Sequence, residues 1–323
     1  MEIIKQEELE NLIAGQTMQG VVLVTSYAVK VSKSGREYID GKLQSGTTVK
    51  FRVWTDRPAF EKMKINDLTN KPCEIKGTVD EYNGAYSIII TDIIEAPEFK
   101  IGMFMPVFYD VDRWYESLVS MAKQMLSDKG MNLLGSMLFN NPRLVDRLKE
   151  EFAAMNHHDN CRGGLLAHTV KMLDLVPGII DTYPTLVSEK NSSGEMVESP
   201  DKRDLLVIGC IMHDIGKVRE MKYGVYQRES FISHRFFGAE YVEHFRKQII
   251  ELYSEKWFYD LEAILLQHHD EFGDPCRNLY ALIIHKIDDI ESSLTNLSQE
   301  IETNLNSDPS GEFIWYDGKT LYI

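Results

Sequence analysis

Near residue 100 the apolar pattern of this chain changes period, and one hydrophobic core cannot serve both patterns. From Gln19 to about Ile94 the alternation is that of strands. Gly20 to Val31, Glu37 to Leu43, Thr48 to Trp54, Cys73 to Glu81 and Ala85 to Ile94 alternate apolar with smaller or polar residues. Turn signals at Lys33-Ser34-Gly35, Ser45-Gly46 and Asn83-Gly84 separate them. Between the third and fourth strands, Pro58 to Leu68 carries Phe60, Met63 and Ile65 and predicts one short helix. Five strands interrupted before the fourth match the layout of an OB-fold, a small Greek-key barrel, with another small barrel as the alternative. From Phe108 onward the spacing is helical: Trp114, Leu118, Met121 and Met125 share a face, and Leu134, Met137, Leu144 and Leu148 fit further helices. A helix beginning near Gly164 is expected to end at Pro177-Gly178. Helical patterns resume at Asp204 to Ile215, Ser233 to Tyr253, Tyr259 to His269 and Leu279 to Leu297. The expected organisation is an all-β barrel over residues 1–100 and a mainly α-helical domain over 101–323. The second carries an exposed polar loop at 188–200 and a hairpin at 313–323 around Asp317-Gly318.

A chain of 323 residues has the length for two such domains. Its net charge of −15 is divided unequally, −2 over residues 1–100 and −13 over the rest. All nine histidines lie in the acidic part, between His157 and His285. That balance argues against binding nucleic acid by bulk electrostatic attraction. Cys73, Cys161, Cys210 and Cys276 form no CxxC pair, so reduced thiols are expected. The opening residues lack the features of a signal peptide, and no apolar run approaches the roughly 18 to 20 residues needed to span a bilayer. The expectation is a cytoplasmic protein with no membrane partner.

The histidines fall where burial is expected. His168 lies on the apolar stripe of its helix, between Leu165 and Met172, and His213-Asp214 ends the apolar run Leu205 to Met212. His268 extends the stripe of Leu261, Ile264 and Leu265, with His269 next. His234 opens the helix carrying Phe237, Tyr241 and Phe245, and Asp288 continues Ala281, Ile284 and His285. Burying so many imidazoles and carboxylates without partners would cost several kcal/mol each, on the order of 2–7. A metal site removes that cost, because these groups are ligands as well as polar groups. Two divalent ions about 4 Å apart, bridged by one carboxylate, stabilise the attacking and leaving oxygens of phosphoryl hydrolysis.

The string HDIGK at His213 to Lys217, with His168 before it and His234, His268-His269 and Asp288 after it, resembles the HD superfamily of metal-dependent phosphohydrolases in its two-metal form. The resemblance implies one ion at His168, His213, Asp214 and Asp288. It implies a second, bridged by Asp214, at His234, His268 and His269, with Lys217 reaching a substrate phosphate. The family's spacing from His285 implies Asp288 and not Asp289 as the last ligand. The whole chain is similar to the YhaM-type 3′→5′ exoribonucleases. The match runs through SKSGREYIDGKLQSGTTVKFRVW and GTVDEYNGAYSIII in the barrel, then Asn156 to His158, GGLLAHTVKMLDL, IMHDIGK, LLQHHDEFGDP, ALIIHKIDDIESSL and FIWYDGKTLYI. It is looser at SHRFFGAEYV around His234, with a longer loop at 188–200 and a shorter segment after His269.

What the resemblance implies is a divalent-metal-dependent exonuclease that shortens single-stranded RNA, or single-stranded DNA, from the 3′ end to nucleoside 5′-monophosphates. Mn²⁺ is the leading metal, with Fe²⁺, Co²⁺ and Zn²⁺ open. Asp214 and Lys217 are the candidate catalytic residues. In the barrel, Tyr38, Phe51, Trp54, Tyr82 and Tyr86 are candidate stacking platforms, and Lys30, Lys33, Arg36, Lys50 and Arg52 could follow phosphates, although strand aromatics are more often core and about half of these are expected to be buried. His157 and His158 could contact phosphate or cap a loop; His244 is expected to be exposed. Two alternatives remain. One is a hydrolase of small nucleotides or cyclic dinucleotides whose barrel regulates or oligomerises it, and the sequence is compatible with a homo-oligomer. The other is a non-catalytic nucleic-acid-binding protein with a structural metal, against which stands the surplus of seven candidate ligands over the four that a structural ion needs.

Overall fold

Alternation along the first hundred residues closes into a barrel. The computed structural model describes residues 2–154, 159–227, 231–270, 273–307, 313–316 and 318–322. Two compact units divide at Val107 and Phe108, each with its own apolar core. In the first, helix α1 (Gln6–Glu10) precedes strands β1 (Thr17–Val31), β2 (Glu37–Ser45) and β3 (Thr47–Trp54). Helix α2 (Pro58–Ile65) then leads to β4 (Lys71–Tyr82) and β5 (Ala85–Glu95). The strands close in the order β1-β2-β3-β5-β4, with β4 returning to β1. Only the β3–β5 contact among these is parallel. This is the five-stranded OB-fold arrangement, with the helix between the third and fourth strands as the sequence predicts.

Period-2 alternation decides which barrel residues are core. In β3, Phe51 and Val53 point inward and Arg52 and Trp54 outward. Phe51 faces Gly41 across the β2–β3 ladder. A Cβ on that glycine would lie 2.5 Å from the Phe51 ring, so the missing side chain is what lets the ring fill the barrel. Phe51 is fully buried and is core, not a stacking platform. Its odd spacing from Trp54 puts the two on opposite faces. At the β4–β5 hairpin both turn residues, Asn83 and Gly84, take positive φ, as the Asn-Gly signal requires.

The second unit is helical. It comprises α3 (Val111–Met125), α4 (Asp128–Leu134), α5 (Pro142–Glu150) and α6 (Gly164–Thr182), then a two-stranded hairpin, β6 (Ser188–Lys190) and β7 (Met196–Glu198). There follow α7 (Pro200–Met212), α8 (Lys217–Glu220), a small hairpin of β8 (Met221–Lys222) and β9 (Val225–Tyr226), α9 (His234–Glu243), α10 (Arg246–Leu252), α11 (Glu255–Gln267) and α12 (Leu279–Ser307). β10 (Phe313–Tyr316) and β11 (Lys319–Tyr322) pair as a closing hairpin. Gly209 lets α7 approach α11: a Cβ there would meet Ile264 Cδ1 at 2.6 Å.

Three expectations are corrected. Helix α6 runs through Pro177, which lies on its exposed side instead of ending it. The predicted helix Ser233 to Tyr253 breaks at His244-Phe245 into α9 and α10. The polar stretch at 188–200 is ordered by the β6–β7 pairing and by the Asn191 side chain, which accepts from the backbone N–H groups of Ser193 and Glu195. Among the described residues no helix is long and apolar enough to cross a membrane.

Candidate metal centre

Helix ends bring the acidic and imidazole groups together. His168 projects from the first half of α6, and His213-Asp214 follows the C-terminus of α7. His234 is the first residue of α9, His268-His269 follow α11, and Asp288 lies between two and three turns inside α12. Gly216 makes this convergence possible. A Cβ on it would fall 1.9 Å from the His234 carbonyl oxygen, so the turn after Asp214 and the start of α9 could not otherwise meet.

The two carboxylate oxygens of Asp214 face different groups. Oδ2 lies 3.4 Å from His213 Nε2 and 4.0 Å from His168 Nε2, and His168 Nε2 is 3.3 Å from Asp288 Oδ1. Oδ1 lies 3.3 Å from His234 Nε2 and 3.5 Å from His268 Nε2, and His269 Nε2 is 2.9 Å from His234 Nε2. The donors thus form two clusters, His168–His213–Asp288 and Asp214–His234–His268–His269, with Asp214 between them. Donors that share an ion at about 2.1 Å stand about 3.0 to 3.4 Å apart, close to the spacings found.

Hydrogen bonding shows that these groups fit metal ions better than they fit one another. His213 Nε2, His268 Nε2 and Asp214 Oδ1 are buried and make no hydrogen bond, an arrangement that costs about 1–3 kcal/mol per group when nothing else satisfies it. Buried Asp204 is the contrast: its oxygens accept from the Ser127 N–H at 2.9 Å, the Ser127 hydroxyl and the Tyr253 hydroxyl at 2.7 Å. The inward lone pairs are fixed from outside. His213 Nδ1 meets the Cys210 carbonyl at 2.9 Å and His268 Nδ1 the Ile264 carbonyl at 3.1 Å. A carbonyl only accepts, so Nδ1 carries the proton and Nε2 is left as a ligand atom. The residues fit two divalent cations.

Electrostatics separate the two clusters. Burial disfavours the charged form of His168, but hydrogen bonds to Asp288 and Glu291 outweigh it and push its pKa up to about 10. That corner of the site seeks positive charge. His269 goes the other way: burial, aided by His268, brings its pKa down to about 3, so it stays a neutral imidazole. Burial would raise the Asp214 carboxyl, yet Lys217 and His213 hold it well below the usual carboxylate range.

The remaining predicted residues fall variously. Lys217, expected to reach a phosphate, has its Nζ 2.5 Å from Asp214 Oδ2 and donates to the Ala153 carbonyl at 2.8 Å. Asp289 is exposed, while Asp288 faces the cluster. His244 is exposed, as expected. His157 and His158 lie outside the described residues. On the barrel surface, Tyr38 and Trp54 pair across β2 and β3 with ring centroids 5.1 Å apart, and the Arg36 guanidinium sits 5.2 Å over Trp54. Arg52 and Lys30 both face Asp40, at 3.7 and 2.5 Å. Tyr82 and Tyr86 are exposed. Sequence reasoning missed two buried acids, Glu291 and Glu220, which hold His168 and His234 from behind. The signal for Glu291 is its place one turn after Asp288; Glu220 has none beyond its place one turn after Lys217.

Comparison with known proteins agrees with this geometry. The HD domain pattern matches residues 165–293, the span that supplies every histidine and carboxylate of the two clusters. The chain is 24% identical to the 3′-5′ exoribonuclease YhaM of Listeria innocua serovar 6a over 98% of both chains. It is likewise 24% identical to the 3′-5′ exoribonuclease YhaM of Bacillus velezensis, over 89% of this chain and 88% of that one. Among solved structures, the mitochondrial single-stranded DNA binding protein Rim1 of S. cerevisiae aligns in full with 27% of this chain, at 16% identity and a TM-score of 0.24.

Proposed function

We propose that this chain, an HD-domain protein whose exoribonuclease homologues match it along 98% of its length, is itself a metal-dependent 3′→5′ exonuclease of single-stranded RNA, releasing nucleoside 5′-monophosphates in the cytoplasm. The observation that carries the reading is Asp214, whose two oxygens serve two separate clusters of imidazoles. Two bound divalent ions would stabilise the attacking and leaving oxygens of an in-line displacement at phosphorus. His168, His213 and Asp288 would hold one, and His234, His268 and His269 the other. Mixed nitrogen and oxygen donors favour Mn²⁺, with Fe²⁺, Co²⁺ and Zn²⁺ as competitors.

The protein's own groups then have distinct work. Asp214 keeps the clusters in register, and its strongly ionised carboxylate is a ligand first and only weakly a proton acceptor. Lys217 fixes that carboxylate through Oδ2 and balances part of the buried negative charge. The outward aromatic pair Tyr38–Trp54, with Arg36, Arg52 and Lys30 nearby, is the barrel surface best suited to stacking bases and following phosphates. A near-neutral barrel surface suits a strand held by stacking more than by charge.

The test is degradation of a 5′-labelled single-stranded RNA by the purified protein with Mn²⁺ and with EDTA, beside single-stranded DNA, mononucleotides and cyclic dinucleotides. The expected result is a metal-dependent ladder shortening from the 3′ end. Intact RNA beside hydrolysed small nucleotides would move the activity to small-nucleotide phosphohydrolysis and demote the barrel to a scaffold.

A further inference from the structure

The four imidazoles with defined outer partners are not anchored alike. His213 and His268 give Nδ1 to peptide carbonyls. His168 and His234 meet carboxylates instead, Glu291 Oε2 at 2.5 Å and Glu220 Oε2 at 2.8 Å. Both acids are buried, at 4% and 6% exposure. Each cluster therefore contains one imidazole backed by the main chain and one backed by a carboxylate. A carboxylate behind an imidazole fixes the ring and strengthens its other nitrogen as a ligand, and removing such a partner weakens metal binding roughly 10- to 100-fold.

The carboxylate behind His168 is itself held in place. Glu291 Oε1 accepts from the Thr295 hydroxyl at 2.6 Å and lies 3.5 Å from Lys171 Nζ. That ammonium also reaches both oxygens of Asp159, at 2.8 and 3.0 Å, and the Tyr109 hydroxyl at 3.1 Å. Asp159, His168 and Glu291 stand close enough to hold a cation, and the two carboxylates already share the Lys171 ammonium. This is a rigid backing for one ligand of the first ion, not a third metal site. Glu220 does the same for His234 from the end of α8, one turn beyond Lys217.

We infer that Glu291 and Glu220 are positioning residues that set the affinities of the two ions separately: Glu291 for the ion at His168, His213 and Asp288, and Glu220 for the ion at His234, His268 and His269. The inference rests on the two-ion reading above. It is tested by calorimetric titration of Mn²⁺ into the metal-stripped full chain, comparing wild type, Glu291→Gln, Glu220→Gln and the double variant, with metal-free melting recorded for each. Glutamine keeps the size of the side chain and removes the charge.

The expected result is two tight ions in wild type. Each single variant should keep one and bind the other roughly 10- to 100-fold more weakly, and the double variant should bind both weakly. If Glu291→Gln fails to fold, Thr295→Val, which removes one of the two groups at Glu291 Oε1, should weaken one ion by a smaller factor and leave the other untouched. Unchanged affinities, equal weakening of both ions by either single variant, or a double variant that keeps one tight ion would each overturn the assignment. A wild type that takes up fewer than two ions would overturn the two-ion reading itself, and the assignment with it.

Discussion

The barrel and the helical unit treat polarity in opposite ways. Among the described residues, the barrel's buried polar side chains are Ser45 and Ser87, and its charged and aromatic chemistry lies outside. The helical unit buries His168, His213, Asp214, Glu220, His234, His268 and Glu291 in or beside one apolar core. Buried polarity is expensive unless satisfied, so a site of that kind must be built from many helix ends at once. A stacking surface needs only outward rings on a stable sheet. One unit thus gathers polar groups inside around a site, and the other carries them on its surface.

That contrast can be broken or sharpened experimentally. The largest effect is expected from stripping the metals: RNA cleavage should fall to background and return with Mn²⁺, while the barrel's aromatic circular dichroism is unchanged. Phe51→Ala should reverse the pattern, opening a cavity at the barrel centre worth about 3–5 kcal/mol of stability, with metal content per folded chain unaltered. Gly216→Ala forces its Cβ against the His234 carbonyl. It should cost about 1–3 kcal/mol and preferentially weaken one ion, readable by melting and metal titration together. Trp54→Ala should act more mildly, weakening RNA affinity by about 1–3 kcal/mol without touching metal affinity or stability. An equal loss of metal on Trp54→Ala would erase the distinction between the units.

Much of this was legible in the sequence, for a physical reason. His168, His268 and Asp288 sit on apolar stripes where an unpartnered polar group would be costly, so stripe position and motif together single them out. The five strands and the helix before the fourth follow from alternation and turn residues. Glu220 and Glu291 were not legible, because an acid on a helix reads as a solvated charge until tertiary packing places an imidazole against it. Lys217 could be placed near Asp214 by its i+3 spacing, but not its commitment to that carboxylate and to Ala153. Phe51 was readable and misread: three residues from Trp54 in one strand, it could not share Trp54's face. The passage of α6 through Pro177 was hidden, since a proline on an exposed side is tolerated where neighbouring packing holds the helix.

The most direct test of the account is Asp214→Ala, assayed in parallel for bound metal by mass spectrometry and for turnover of single-stranded RNA. Because one carboxylate serves both clusters, both ions and all turnover should be lost together, well beyond the roughly 10- to 100-fold expected of an outer partner. An Asp214→Ala protein that keeps two ions and cleaves RNA at the wild-type rate would contradict it.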